Sequence, residues 1–286
     1  MEFLKAAVVP VIWSTTYVVT AQFLPPDRPI LASVLRALPA GLILLLIVRT
    51  LPKGQWWWKS SVLALANFTG FFGLLFLAAY QLPNGVAAVL TNTSPLVVMI
   101  LAPFLLGVRV TGLQIGAGLV AVLGVAGLTL TGPVALSPIG VAAGLGASAC
   151  IGAGTVLAKR WGRPDDVPQI AVTSWQLTLG GLFLIPFLAW EGLPERLTWV
   201  NIAGYAYLTI FGALISYIIW FSALARLDAV RVALLAPIAP LCATLIAVVF
   251  VNERLSALQW AGGALVVASL AATQLLPALM RKKTQQ

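Results

Sequence analysis

Aromatic, hydroxyl and amide side chains recur inside long apolar segments of this 286-residue chain, where they could bind a small molecule. In the first segment a helical period places Trp13 and Tyr17 on one face, with Thr16 beside them. A wall of aromatic rings with a few polar groups suits a small amphipathic ligand. The same hydroxyls and amides are equally suited to hydrogen bonds between helices. The candidate binding residues of this kind are Trp13, Thr16, Tyr17, Asn67, Tyr80, Thr91, Asn92, Trp175 and Gln176.

Arg36 is the one ionisable side chain placed well inside an apolar segment. Charges at such a depth are rare in membranes and indicate a functional site by default. Arg36 could hold a substrate carboxylate through a bidentate contact. It could equally snorkel outward or bind carbonyl groups of a neighbouring helix. No Asp, Glu or His occupies the middle of a segment, so the relay that proton coupling requires is missing. Coupling would remain possible if Asp228 or Glu253 faced a cavity.

The residue inventory also excludes several enzyme chemistries. The chain has no histidine, which rules out His-ligated zinc, Ser-His-Asp catalysis and haem held by an axial histidine. Cys150 and Cys242 lie in apolar runs and form no CxxC pair, so we interpret them as small core residues. Paired acids inside a segment, which intramembrane proteolysis would need, are missing too. The sequence predicts no catalytic residue, no metal site and no cofactor.

Composition and length indicate a protein that crosses a membrane many times. Hydrophobic residues make up 60% of the chain and charged residues 9%, with a mean hydropathy of +1.01. A soluble fold could not bury so much apolar surface, whereas a membrane-spanning helix needs about 20 apolar residues. We therefore predict an all-α membrane protein with ten spans, at residues 4–24, 30–50, 60–81, 84–107, 111–131, 137–159, 168–190, 199–225, 229–251 and 256–277.

The basic residues predict how the ten spans are oriented. If the N-terminus is cytoplasmic, thirteen Lys and Arg residues fall on the inner side and three on the outer side, with Arg36 inside a span; the total is the seventeen of the sequence. Cytoplasmic loops carry such an excess of Lys and Arg. The net charge of +9 is therefore explained by membrane topology, and both termini are predicted to be cytoplasmic. Nucleic acid is not an expected partner.

A shift of 145 residues superposes parts of the two halves of the chain. Under this shift Pro95 falls on Pro240, Arg109 on Arg254 and Gln114 on Gln259, together with several Ala, Leu and Gly matches. We predict two five-helix repeats, at residues 1–133 and 134–286. Because five is odd, the second repeat must enter the membrane from the opposite side, and inverted repeats are typical of secondary transporters.

Prolines interrupt the fourth and ninth predicted spans at matching depths. Pro95 follows the polar sequence Asn92-Thr93-Ser94, and Pro237 and Pro240 occupy the corresponding part of the second repeat. Proline removes a backbone donor and displaces the carbonyl four residues earlier. Matching interruptions of this kind point to a central binding site between the repeats. Pro95, Pro237 and Pro240 are therefore candidate gating or hinge residues. The alternative is a pair of packing kinks, and a gate and a packing kink are not exclusive.

Taken in order, these patterns resemble the EamA-type members of the drug/metabolite transporter superfamily. The motifs that carry the resemblance cover essentially the whole chain: Trp13-Ser-Thr-Thr-Tyr17, Arg36, Ala87-Ala-Val-Leu-Thr-Asn-Thr-Ser-Pro-Leu96, Trp175-Gln176, Pro237-Ile-Ala-Pro240 and Asn252-Glu-Arg-Leu255 before Gln259 and Gly262-Gly263. One departure is visible. The family often has Glu-Arg at the end of both fourth-position helices, whereas here Val108-Arg109 stands against Glu253-Arg254.

The resemblance implies an exporter of small metabolites in the cell inner membrane, closest to exporters of aromatic and neutral amino acids. Lipid and a small-molecule substrate are then the expected partners; a monomer is compatible with this, and the sequence leaves the oligomeric state open. We expect alternating access around a central cavity, by uncoupled facilitated diffusion or exchange. The alternatives are an antiporter of phosphorylated or nucleotide-linked metabolites and, in a different class, a polytopic membrane enzyme.

Reporter fusions test the predicted orientation. A green fluorescent protein fused after Gln286 should fluoresce and alkaline phosphatase at the same place should be inactive, because the C-terminus is predicted to be cytoplasmic. Fusions truncated after Asp27 should give the reverse pattern. Active phosphatase at the C-terminus would contradict the assigned topology.

Overall fold

The computed structural model describes residues 2–82, 84–130, 137–251 and 255–283, and within them every regular element is helical. Their bounds are α1 Glu2–Phe23, α2 Pro29–Val48, α3 Trp56–Ala64, a first π segment Leu65–Gly70, α4 Phe71–Gln81, α5 Asn84–Thr91, α6 Ser94–Leu106, α7 Gly112–Thr129, α8 Pro138–Trp161, α9 Gln169–Glu191, α10 Trp199–Tyr207, a second π segment Leu208–Ile215, α11 Ser216–Arg226, α12 Ala229–Ala233, α13 Ile238–Val251 and α14 Ala257–Lys283.

The described part of the chain contains nine helices or helix pairs that are long and apolar enough to cross a membrane, and a shorter apolar stretch at Ala257–Ala272. The all-α membrane fold is thereby confirmed, while the number ten remains a prediction. The third span begins at Trp56 and not at 60, because Trp56 is buried in the first turn of α3 against Trp175, with ring centroids 6.2 Å apart.

Two of these spans are broken near their middle. The backbone between α5 and α6 turns at Thr93, and the corresponding break between α12 and α13 covers residues 234–237. Pro95 stands in the first turn of α6, where its missing N–H is not needed. The sequence therefore placed both interruptions correctly; a gating role for the prolines stays a prediction.

Several contacts between a helix of the first half and one of the second have an equivalent in which the two halves have changed places. α1 packs on α11 and α13, and its counterpart α8 packs on α4 and α6. In the same way α2 contacts the second π segment and α9 contacts the first. The two remaining large contacts, α2 with α9 and α7 with α14, each join equivalent helices. Two similar halves therefore pack around a common axis; the boundary predicted at 133/134 lies outside the described residues.

α2 and α9 form the most closely packed pair in the centre of the molecule. A Cβ on Gly41 would come within 3.0 Å of the Thr178 backbone nitrogen, and one on Gly181 would lie 2.6 Å from Leu38 Cβ. Both ends of the pair are also fastened. The Glu191 carboxylate accepts hydrogen bonds from the first amides of α2, including Leu31 N at 2.8 Å, and such a charge stabilises a helix N-terminus.

Large apolar side chains are exposed on the outer surface, as lipid contact requires. Phe104, Trp190 and Trp199 are each more than four-fifths exposed. Within hydrocarbon these side chains need no cover, whereas each backbone polar group does, and helices satisfy that requirement internally.

Replacement of Gly41 by alanine should destabilise the protein. The added methyl group meets backbone that cannot move aside, so we expect a loss of about 1–3 kcal/mol, read as a lower melting temperature in detergent. Gly116→Ala is the matched control: Gly116 lies inside α7 with open space at its Cβ position, and alanine there should stabilise the helix by about 0.5–1 kcal/mol. Equal effects of the two variants would contradict the close α2–α9 contact.

Candidate substrate-binding cavity

A cavity of about 600 Å³ lies between the two broken helices and is lined from both halves of the chain. Pockets of roughly 300–1,000 Å³ hold small organic ligands. At one end the lining includes Leu24, Pro25 and Pro26, just beyond α1. At its centre are the residues that flank the two breaks. Helices α1, α2, α4, α8 and α11 provide the remaining walls.

Aromatic rings from α1 and α11 form one wall of the cavity. The Trp13 ring lies 5.3 Å from that of Tyr217 and 5.1 Å from that of Trp220, measured between centroids. Phe68 supports Tyr217 from behind in an edge contact at 4.7 Å. Tilted and edge arrangements at these distances are favourable. The wall is therefore a preformed apolar surface.

The Gly212 carbonyl joins three helices beside this wall. It accepts a hydrogen bond from Trp13 Nε1 at 3.1 Å and another from Arg36 Nη2 at 2.9 Å. Gly212 belongs to the second π segment, whose altered backbone pairing makes this carbonyl accessible to side chains. Arg36 is only 4% exposed and its guanidinium also stacks 4.9 Å from the centre of the Phe72 ring. Arg36 thus binds carbonyl and aromatic groups of the protein while still lining the cavity.

Polar side chains enter the cavity from α1 and from the first break. Thr16 and Thr20 line it, and their hydroxyl groups have no hydrogen-bond partner among the described residues. Thr91, Asn92 and Ser94 line the opposite side. Buried polar groups are nearly always hydrogen-bonded, so the two threonines offer hydrogen-bonding capacity next to the cavity.

Five of the candidate binding residues therefore meet in one cavity. They are Trp13, Thr16, Arg36, Thr91 and Asn92. The side chains of Tyr17 and Tyr80 lie outside the described part of the structure. Pro95 and Pro240 are buried directly after the cavity-lining Ser94 and Ala239.

Three other candidates lie between helices and not in the cavity lining. Asn67 Nδ2 donates to Gln176 Oε1 at 2.9 Å, and both residues are fully buried. Trp175 Nε1 donates to the Thr50 carbonyl at 2.6 Å, which fastens α9 to the end of α2. Buried amides and indoles satisfy one another in this way in membrane interiors, so their polarity reflects helix packing here.

Asn67 and Gln176 nevertheless occupy informative positions. Asn67 lies in the first π segment at the place that corresponds to Gly212 in the second, 145 residues later. When the two repeats are aligned, Gln176 on α9 is equivalent to Arg36 on α2. Each π segment is thus held by a polar side chain from the second helix of the opposite half.

Sequence reasoning missed Tyr217 and Trp220, which lie on α11. The repeat offered a signal for them, because a shift of 145 residues pairs Tyr217 with Phe72 and Trp220 with Leu75. The candidates from the sequence include Asn67 and Tyr80 in the third predicted span but no residue of the equivalent eighth span.

Acidic side chains are absent from the described lining of the cavity. Asp228 instead accepts from Arg231 N at 3.0 Å and caps α12, while Glu253 lies outside the described residues. The described residues also contain no group of three or more His, Cys, Asp or Glu that could hold a metal ion.

Polar contacts close the molecule at the end opposite Pro26. Lys159 Nζ donates to the terminal carbonyls of α11, at 2.9 Å from Leu224 O and 3.1 Å from Ala225 O. Glu2 forms an ion pair with Arg226 at 3.2 Å. On the same side α6 packs against α12. The cavity therefore extends toward the end at which α1 finishes.

Comparison with known sequences decides the family. The profile of the EamA-like transporter family matches twice, at residues 2–130 and 138–274. The chain belongs to the EamA-like transporter family. Protein PecM of Dickeya dadantii is 40% identical over 96% of this chain and 92% of its own length. An uncharacterized transporter of Synechocystis sp. is 28% identical over 91% of this chain and 85% of its own length.

A solved crystal structure shares the fold of this EamA-like transporter, with a TM-score of 0.83 over 98% of both chains at 20% identity. The predicted family, the two-repeat helical fold and the location in the inner membrane as a multi-pass protein are confirmed. Its substrate is a small molecule, as for membrane transporters of this family in general. The Synechocystis relative is named as a transporter.

Trp13→Phe tests the contact at Gly212. The variant keeps an aromatic wall but removes one of the two donors, so stability in detergent should fall by about 0.5–1.5 kcal/mol. Trp220→Phe removes an indole for which no hydrogen bond is recorded among the described residues, and serves as the control. A melting temperature lowered to the same extent in both variants would argue against the Gly212 contact.

Proposed function

We propose that this EamA-like transporter exports amino acids, including aromatic ones, by alternating access around the cavity. The observation that carries the proposal is the chemistry of the lining: an aromatic wall, neutral hydroxyl and amide groups, and Arg36 as the one cation among the described lining residues. This set matches a zwitterion with an apolar side chain and disfavours a cation.

The aromatic wall suits an apolar or aromatic side chain. Trp13, Tyr217 and Trp220 present ring faces and edges whose geometry is fixed by mutual packing. A further ring placed against them would gain about 0.5–1.5 kcal/mol beyond the burial of its area. Alanine residues across the cavity leave room for it.

Arg36 supports binding of the carboxylate. Its charge is held in a buried position by Gly212 and Phe72, and low-dielectric surroundings strengthen its attraction for an anion. A phosphorylated or nucleotide-linked substrate would call for several such cations, and the described lining supplies one. Amino acids are therefore the better fit.

Alternating access is supported by the asymmetric closure of the molecule. Lys159 and the α6–α12 contact close one end while the lining reaches Pro26 at the other. In this proposal Pro95, Pro237 and Pro240 act as hinges, and exchange of the roles of the two halves would open the closed end. With a cytoplasmic N-terminus, the structure corresponds to an outward-open state.

Transport is proposed to be uncoupled from protons. A coupled carrier needs a titratable group that faces the substrate path, and the described lining has no carboxylate. Substrate gradients then drive facilitated diffusion or exchange.

Proteoliposomes that contain the purified protein test this function. Radiolabelled Trp, Phe, Thr, Met or Glu is loaded separately, with and without an imposed pH gradient. Release of Trp, Phe and Met without a gradient is expected, with Glu retained because its second carboxylate has no partner. Trp220→Ala should weaken the apparent affinity for Trp by at least about tenfold.

Leu113→Ala provides the matched control, since Leu113 lies at the exposed start of α7 outside the cavity lining. Sealed, correctly oriented vesicles that release no amino acid would refute the substrate assignment. Release that depends on the pH gradient would refute uncoupled transport, and loss of that dependence in Glu253→Ala would identify the coupling group.

A further inference from the structure

The two broken helices give the cavity two chemically different walls. Thr91 and Ser94 line the cavity at the first break, and the residues 145 positions later, Ala236 and Ala239, line it at the second. Equivalent positions of the two repeats thus present hydroxyl groups on one side and methyl groups on the other. A ligand that fills the cavity meets a polar edge and an apolar edge, so it has one preferred orientation.

Asn92 supplies the strongest acceptor on the polar wall. Its side-chain Nδ2 donates to the Ala88 carbonyl at 2.8 Å. Because a carbonyl accepts hydrogen bonds and does not donate them, this contact fixes which end of the amide is nitrogen. The oxygen Oδ1 is therefore the other end, and no described group donates to it.

The same oxygen is accessible from the cavity. Asn92 as a residue is only 8% exposed and lines the cavity, but Oδ1 is not among the described side-chain atoms that are fully buried without a partner. A ligand that brings a donor can therefore reach this acceptor, in surroundings where a hydrogen bond is stronger than in water. The corresponding residue of the second repeat is Pro237, which has no side-chain acceptor, so the cavity carries this group on one side only.

We propose that Asn92 Oδ1 accepts a hydrogen bond from the α-ammonium group of the substrate. The proposal rests on the amino-acid function above and adds how the positive end of the zwitterion is recognised. A carboxylate at this place would attract cationic amines and metal ions, whereas the neutral amide accepts from ammonium without a net charge. Together with Arg36, it selects molecules that carry both an ammonium and a carboxylate group.

Competition experiments with three ligands separate the two ends of the substrate. The measured quantity is the concentration of each ligand that halves the export of radiolabelled phenylalanine from proteoliposomes. The ligands are L-phenylalanine, 3-phenylpropionate, which lacks the ammonium group, and phenethylamine, which lacks the carboxylate. The wild-type protein should prefer phenylalanine over 3-phenylpropionate by at least about tenfold, since a site built for a donor rejects an analogue without it.

Asn92→Leu should reduce that preference to less than about twofold, while the preference over phenethylamine, which depends on the carboxylate, is retained. Asn92→Asp is the second variant, and it keeps the size of the side chain. Its negative charge repels the substrate carboxylate, so phenethylamine should gain on phenylalanine. The two variants shift different ratios, which a general loss of folding would not do.

Thr93→Val is the matched control within the same break. The Thr93 hydroxyl contacts Leu90 O and Ser148 Oγ, at 2.6 and 2.7 Å, and Thr93 is not part of the cavity lining. Its ligand preferences should equal those of the wild type. If Asn92→Leu leaves the phenylalanine preference intact, or if Thr93→Val abolishes it as well, the ammonium assignment is overturned while the amino-acid function stands. Wild-type protein that phenylalanine does not inhibit overturns both.

Discussion

Inside a bilayer every backbone amide and carbonyl must find a partner within the protein, because no water is present to replace it. Regular helices meet this requirement alone, and within the described residues the spans depart from them at two breaks and two π segments. At two of these places side chains add hydrogen bonds to the backbone: Asn92 Nδ2 donates to the Ala88 carbonyl, which also accepts from the Asn92 amide, and Trp13 and Arg36 donate to the Gly212 carbonyl. Trp13, Arg36 and Asn92 all line the cavity, so the proposed binding groups also contribute hydrogen bonds to the irregular backbone.

The α2–α9 pair explains how such irregular helices are held in place. Glycine at Gly41 and Gly181 lets the two backbones approach, and Glu191 and Trp175 fasten the two ends. Each helix of the pair also supports the π segment of the other half, through Arg36 at Gly212 and Gln176 at Asn67. A rigid central pair leaves the broken helices free to change their packing around it, which is the arrangement that the proposed transport cycle needs.

Duplication has given the two halves the same contacts but different chemistry. Gln176 accepts a hydrogen bond from the side-chain amide of Asn67, whereas the equivalent Arg36 donates to the backbone carbonyl of Gly212. At the second break, alanines stand where the first break has hydroxyl residues. In the proposed cycle the similar backbones exchange structural roles, while the unequal side chains favour one orientation of the ligand. A site made of two identical halves would bind a substrate equally well in two directions.

Hydrophobic runs, proline positions and the 145-residue repeat were sufficient for the helical membrane fold and for both interruptions, because these features depend on local composition and on the cost of exposing a backbone to lipid. They did not decide which polar residues share a cavity. Asn67, Trp175 and Gln176 looked like binding residues yet pair with neighbouring helices, whereas Tyr217 and Trp220 were overlooked. A helical period shows which residues share a face; only the rotation and packing of all the helices decide whether that face meets another helix, lipid or the cavity.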